Sequence, residues 1–131
     1  MTPPLPDAGN LLAALPFDID PVRERLEAAG GGYEIVHASP GLEIGVYVLV
    51  APEPDHQQPH EDDEVYIVLE GRGVLEVEGK AVALERGHAV FVPAGALHQF
   101  VGYEGLSVLV IFARRWHPEQ PTAPGRAAEP V

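Results

Sequence analysis

The hydrophobic pattern of the chain changes once, at the glycine run 30–32. Before that run, Asp20 and Pro21 precede apolar residues at helical spacing, among them Val22 and Leu26. An N-cap candidate, a proline in the first turn and a glycine terminator predict one short helix that starts at Asp20. From residue 33 onward, alternating apolar positions and compact runs of β-branched and aromatic residues predict strands.

Short strands with frequent turns fill the rest of the pattern. Apolar residues occupy every second position in 42–50, and 65–69 is a continuous apolar run. Further strands are predicted at 73–78, 81–84, 89–92, 97–101 and 106–113, separated by glycine-rich segments such as 70–73. About eight strands at this spacing are typical of a sandwich or barrel. The expected fold class is therefore all-β with one short N-terminal helix.

In two of the predicted strand segments, 65–69 and 107–113, apolar residues occupy both the odd and the even positions, which face opposite sides of a sheet. Both of their faces should then be covered, because an apolar face exposed to water is unfavourable. The barrel interior accounts for one face, and a second sheet or a second subunit would cover the other. A homodimer is the simpler expectation.

Length and composition narrow the class of protein. A chain of 131 residues can bury a single core, so one domain is expected. The net charge of −12 disfavours nucleic acid and membrane surfaces as partners. The absence of cysteine excludes disulfides, thiol catalysis and thiolate metal sites. Since no apolar run has the length of a signal-peptide core or a membrane span, the expectation is a cytoplasmic protein.

Three segments are predicted along the chain. An N-terminal segment with the short helix covers 1–32, the barrel covers 33–116, and a proline-rich tail covers 117–131. The tail has few apolar residues to anchor it and is expected to be flexible.

Histidines and carboxylates are the chemical groups that stand out. On an extended chain Gln58, His60 and Glu64 share one face, and His98 begins another predicted strand. Two imidazoles and a carboxylate from neighbouring strands form a divalent metal site with open coordination positions. The other histidines, at 37, 56, 88 and 117, are expected at surface or structural positions, and the acidic run 61–63 in a hydrated loop.

Two spaced motifs carry a family resemblance. The first, Gly-x5-His-x-His-x(3,4)-Glu-x6-Gly, matches at His60, Glu64 and Gly71, while Pro52 and Gln58 depart from it. The second, Gly-x5-Pro-x-Gly-x2-His-x3-Asn, has Gly102 in place of its final Asn and otherwise matches, at Gly87, Pro93, Gly95 and His98. On these residues the sequence resembles the cupin family, which implies a double-stranded β-helix, or jelly-roll barrel.

The resemblance implies a ligand set for one divalent metal ion, with Fe, Mn, Zn and Ni all open. Carried over, the ligands are Gln58, His60, Glu64 and His98, with Gln58 where the family has its first histidine. His56 would replace Gln58 if the chain bulged, and a barrel without metal is the alternative that the departure leaves open. Tyr66 and Phe100 share the parity of Glu64 and His98, so they either line a substrate pocket or belong to the core.

Cupins include dioxygenases, decarboxylases, isomerases and non-catalytic binding domains. An open set of two histidines and one glutamate favours a dioxygenase-like oxidoreductase acting on a small organic acid or phenol. The alternative is a non-catalytic cupin that binds or senses a small ligand. No residue pattern identifies that small molecule.

Overall fold

A computed structural model describes residues 14–50, 55 and 59–114 of the chain. In these residues one helix is followed by six strands: α1 (Ile19–Ala28), β1 (Gly32–Ser39), β2 (Leu42–Leu49), β3 (Asp63–Val77), β4 (Lys80–Glu85), β5 (Ala89–Val92) and β6 (His98–Ala113). The expected fold class, all-β with one short N-terminal helix, is confirmed. The tail 117–131 lies outside the described residues.

Helix α1 begins earlier than the sequence predicts. Its N-cap is Asp18, which makes no side-chain capping hydrogen bond, and Asp20 lies in the first turn, where its charge favours the helix dipole. The predicted end is right. The N–H of Gly30 donates to Glu27 O at 3.1 Å and that of Gly31 to Leu26 O at 2.8 Å, which is a Schellman motif.

The strands pair antiparallel in the order β1-β2-β6-β3-β4, and β5 pairs with the first half of β3. The longest strands are β6 and β3, which are neighbours in this order, and each joins two of the segments predicted separately. β3 contains both 65–69 and 73–77, and β6 contains 98–101 and 106–113. The expectation of about eight strands was therefore wrong for the described residues.

The glycine-rich segment 70–73 is a bulged stretch of β3 rather than a reversal of the chain. The pairing of β3 with β6 shifts register between Val68 and Glu70, and twice more before Val74. Gly71 has φ +79°, and a Cβ there would overlap the backbone oxygen of Gly105. Bulges of this kind bend a strand sharply, so one long strand can serve both sides of a barrel.

The core lies between the strands. Alternate residues of β2, β3 and β6 face one shared cluster, which includes Tyr47, Tyr66, Leu75, Phe100, Leu106, Val108, Val110 and Phe112. The opposite face of β2 and β6 is partly covered by α1, whose Val22 packs on Val46 and Val48. Among the described residues no helix is long and apolar enough to cross a membrane.

Candidate metal centre

Three predicted ligands come together at one end of the barrel. His60 lies just before β3, Glu64 is the second residue of β3, and His98 is the first residue of β6. One ligand atom from each lies within 4.8 Å of the others. The side chains of Glu64 and His98 are both 1% exposed, and His98 Nε2 lies 3.2 Å from Glu64 Oε1. This cluster could hold a metal ion.

A backbone carbonyl orients the imidazole of His98. Its Nδ1 lies 2.9 Å from Ala96 O, and because a carbonyl can only accept, Nδ1 carries the proton. Nε2 is then the atom that faces Glu64 and is available as a ligand. Metal-binding histidines commonly donate their other N–H to a carbonyl in this way.

Burial and charge act in opposite directions on His98. Burial alone lowers its pKa, while the Glu64 carboxylate and the Ala96 carbonyl raise it and prevail, so the pKa lies above its ordinary value. The carboxylate of Glu64 thus attracts a cation at this position, whether an imidazolium or a metal ion.

The polar atoms around Glu64 also favour a cation at this position. The hydroxyl of Tyr66 is bonded to the buried carboxylate of Glu64, and Nε2 of His98 lies 3.2 Å from Oε1 of the same carboxylate. Removing a carboxylate from water is costly, and a cation between it and the imidazole nitrogen would lower that cost. Two nitrogens with one oxygen suit a divalent transition metal.

Aromatic rings surround the ligands on the barrel side. The ring of His60 lies 5.5 Å from that of His98 and stands edge-on to Phe112 at 5.1 Å. Tyr66 lies 6.0 Å from the ring of His98 and packs edge-on against Phe100 at 4.8 Å. Burial, and then the charge of Glu64, raise the pKa of Tyr66 well above its usual value, so its hydroxyl keeps its proton.

Two predicted roles are not decided by this geometry. Tyr66 lies beside His98 and Phe100 packs against Tyr66, but the two are 0% and 1% exposed and belong to the core cluster. Their contact with a substrate stays a prediction. Gln58 and His56, the two candidates for a fourth ligand, lie outside the described residues.

Sequence reasoning missed three buried carboxylates near this centre: Asp62, expected in a hydrated loop, is only 6% exposed, and Asp55 and Glu43 are each 2% exposed. Asp55 accepts hydrogen bonds from Tyr47 Oη at 2.7 Å and from the Phe100 N–H at 2.6 Å. Glu43 accepts one from Tyr33 Oη at 3.0 Å and lies 3.9 Å from Arg114 Nη1. The signal for Glu43 was its charge inside an apolar strand, whereas nothing in the sequence marks Asp55.

Register places Glu43 close to the candidate ligands. Glu43 pairs with Phe112, and Phe112 pairs with Glu64 on its other side. Residues directly opposite each other in antiparallel strands share a face, so all three side chains point into the barrel. The candidate centre therefore lies in a barrel end that holds several ionisable groups.

Comparison with known proteins agrees with this fold. The family model of the cupin domain matches residues 46–112. An uncharacterized protein of Streptomyces coelicolor is 37% identical over 98 residues, which are 74% of this chain and 93% of that protein. An acireductone dioxygenase of Leishmania infantum is 34% identical over 94 residues, which are 64% of this chain but only 27% of that longer protein.

A solved structure shows the same architecture. An RmlC-like cupin family protein with a double-stranded β-helix fold from Methanocaldococcus jannaschii superposes with a TM-score of 0.64. The match covers 78% of this chain and 92% of that one at 16% identity, so it bears on the fold alone. With the family model across both motif regions and the strands in this arrangement, the chain belongs to the cupin family.

Proposed function

We propose that this cupin binds one divalent metal ion at His60, Glu64 and His98 and uses it in dioxygenase-like oxidation of a small organic acid or phenol. The observation that carries the proposal is the convergence of three ligand atoms within 4.8 Å. Two of them belong to Glu64 and His98, whose side chains are each 1% exposed and approach each other to 3.2 Å.

The types of ligand atom determine which metals this centre would accept. Two imidazoles and one carboxylate leave coordination positions open for small molecules, and Fe, Mn, Zn and Ni all accept such ligands. A redox-active ion at this position would supply one-electron chemistry toward dioxygen, which the side chains themselves lack. The distant likeness to acireductone dioxygenases supports this choice among the chemistries of the family.

The residues of the chain contribute orientation and exclusion of water. The Ala96 carbonyl holds His98 with Nε2 toward Glu64, and Phe112 packs against the ring of His60. Phe100 and Tyr66 close the barrel side of the site against solvent. A dry, fixed ligand set strengthens charge interactions and keeps the ligand geometry independent of solvent.

The test is metal content followed by oxygen consumption. Wild-type protein and the variants Glu64→Gln and His98→Ala are purified without added metal, and the metal content of each is measured by elemental mass spectrometry. We expect close to one divalent ion per chain in the wild type and at least tenfold less in either variant at equal total metal. His88→Ala is a matched control, because His88 is exposed and its ring accepts a hydrogen bond from the nearby Glu85 N–H at 3.2 Å.

Oxygen uptake with a panel of small organic acids and phenols then separates two functions. Consumption by the wild type that disappears in Glu64→Gln supports the oxidoreductase. Metal and ligand binding without oxygen consumption would contradict it and favour the alternative, a cupin that binds or senses a small molecule. Wild-type protein that takes up no divalent metal would refute the metal centre itself.

A further inference from the structure

The turn between β5 and β6, residues 93–97, delivers His98 to the metal centre. Three of its backbone N–H groups donate hydrogen bonds to residues outside the turn. These hydrogen bonds are Ala94 N–H to Asp63 Oδ1 at 2.9 Å, Gly95 N–H to His60 O at 2.7 Å and Leu97 N–H to Glu78 Oε2 at 2.6 Å. The second of them joins the turn directly to the other histidine of the centre.

Glu78 makes two hydrogen bonds with the same residue of this turn. Its carboxylate accepts from the Leu97 N–H, and its own N–H donates to Leu97 O at 2.8 Å. Leu97 is the residue immediately before His98, and Val77, the neighbour of Glu78, pairs with His98 in the sheet. Glu78 thus fixes the chain just where it enters the ligand position.

The backbone of Glu78 has a conformation that is unfavourable for glutamate. Glu78 has φ +50°, and among the described non-glycine residues it alone has a positive φ. It shares the tight β3–β4 turn with Gly79, at φ +81°, and such turns favour Asn or Gly. Glutamate is strained in this conformation, so a glycine would suit the turn better. The strain marks Glu78 as a candidate for a role outside the hairpin.

The turn connects this contact to both histidines. Ala96 O, two residues before His98, accepts the Nδ1 proton that orients the imidazole. Gly95 N–H, one residue further back, is bonded to the carbonyl of His60. A shift of the chain at Leu97 would therefore change the direction of the His98 ring and loosen the bond to His60.

We propose that Glu78 is a positioning residue that sets the imidazole of His98 through the 93–97 turn. The role rests on the proposed metal centre for its purpose, but the restraint itself is a property of the metal-free protein. Asp63 holds the opposite end of the same turn.

The experiment compares Glu78→Gly with Glu78→Gln. Glycine removes the carboxylate and also relieves the strained backbone, whereas glutamine keeps an oxygen acceptor on the same strained backbone. Glu76→Gln is the matched control, because Glu76 is an exposed glutamate on the same hairpin. Measured quantities are the affinity for Co²⁺, its visible absorption spectrum, the thermal midpoint, and residue-resolved amide exchange in the metal-free protein.

In Glu78→Gly we expect about tenfold weaker Co²⁺ binding, the size typical of lost partners behind a metal ligand. An altered Co²⁺ spectrum and faster exchange of the Gly95 amide should accompany it, although Glu78 does not touch that amide. The thermal midpoint should stay within a few degrees of wild type or rise. Glu78→Gln and Glu76→Gln should behave as wild type.

Wild-type Co²⁺ affinity and Gly95 exchange in Glu78→Gly would overturn the proposal and leave Glu78 as a turn residue. Equal losses in Glu78→Gly and Glu78→Gln would also overturn it, since the acceptor oxygen would then be irrelevant. If wild-type protein takes up no Co²⁺, the metal centre is refuted, and Gly95 exchange in the metal-free variants still decides whether Glu78 restrains the turn.

Discussion

Single buried carboxylates distinguish this barrel from a purely apolar one. Glu43, Asp55, Asp62 and Glu64 are each 6% exposed or less. Removing a carboxylate from water is expensive unless hydrogen bonds or opposite charge compensate it. Asp55 has this compensation from neighbouring strands, whereas the carboxylate of Glu64 faces the ring of His98 and the hydroxyl of Tyr66 at the candidate metal centre. The difference separates a carboxylate that stabilises the fold from one suited to a metal ion.

Asp55 provides the prediction at the scale of a residue. Asp55→Asn should lower the free energy of unfolding by about 2 kcal/mol, because an amide in place of one oxygen leaves either Tyr47 or the Phe100 N–H without an acceptor. Urea denaturation monitored by far-ultraviolet circular dichroism measures the change in the free energy of unfolding.

Tyr47→Phe is the matched control for this carboxylate. It removes one of the two donors and keeps the charge bonded to Phe100 N–H, so a loss of about 1 kcal/mol is expected. An Asp55→Asn protein as stable as wild type would contradict the assignment of Asp55 as a fold-stabilising group.

At the scale of elements, the continuity of β3 and β6 decides the architecture. Glycine-rich segments at 70–73 and 102–105 resemble reversals in the sequence, and the structure shows both inside continuous strands. Gly71 and Gly105 approach each other across the β3–β6 pair so closely that no side chain fits at Gly71. A local pattern cannot distinguish a bulge from a turn, because the partner strand determines which one forms.

Gly71 provides the prediction at this scale. Gly71→Ala should destabilise the protein by about 3 kcal/mol, since φ +79° is unfavourable for alanine and its Cβ would overlap the backbone of Gly105. Gly79→Ala is the control with nearly the same backbone, φ +81°, but with no atom within 4 Å of the added Cβ.

Chemical denaturation of both variants separates strain from overlap. We expect Gly79→Ala to cost about 1 kcal/mol, from the backbone conformation alone. Equal losses in the two variants would show that the close approach of the two strands is not important for stability.

At the scale of the whole molecule, the outer face of the central strands carries an apolar stripe. The stripe consists of Ile44, Ile111, Val65 and Phe91, which pair in that order across β2, β6, β3 and β5, and of Ile67, two residues after Val65 on β3. Its parity is opposite to that of Glu64, so it faces away from the core. Helix α1 covers only the neighbouring part of this face, and Phe91 is 56% exposed.

We propose that a second copy of the chain covers this stripe. The net charge of −12 makes two copies repel each other, and this apolar face would let them approach without bringing like charges together. Phe91→Asp should shift the protein from dimer to monomer in sedimentation or size-exclusion measurements with light scattering. Leu15→Asp, at a leucine that is 62% exposed outside the stripe, should not.

A wild-type protein that is monomeric at micromolar concentration would refute the dimer. A dimer that survives Phe91→Asp would place the interface on another face. Because Phe91 points away from the core, neither variant should change the metal content, which separates this prediction from that of the metal centre.

The sequence by itself determined the β class, the terminator of α1, the family and three candidate ligand positions. These features depend on local spacing: apolar alternation, a glycine run, and motif residues at fixed distances along β3 and before β6. His60, Glu64 and His98 were therefore predictable as a set, since the motifs place them just before a strand, within it and at the start of another.

Only the tertiary structure decided which segments merge into long strands, which carboxylates are buried with partners, and what holds the His98 turn. Asp55, Glu43 and Glu78 contact residues that are distant in the sequence or in another strand, such as Phe100, Arg114 and Leu97. Contacts of this kind follow from strand register and chain closure, which no local pattern specifies.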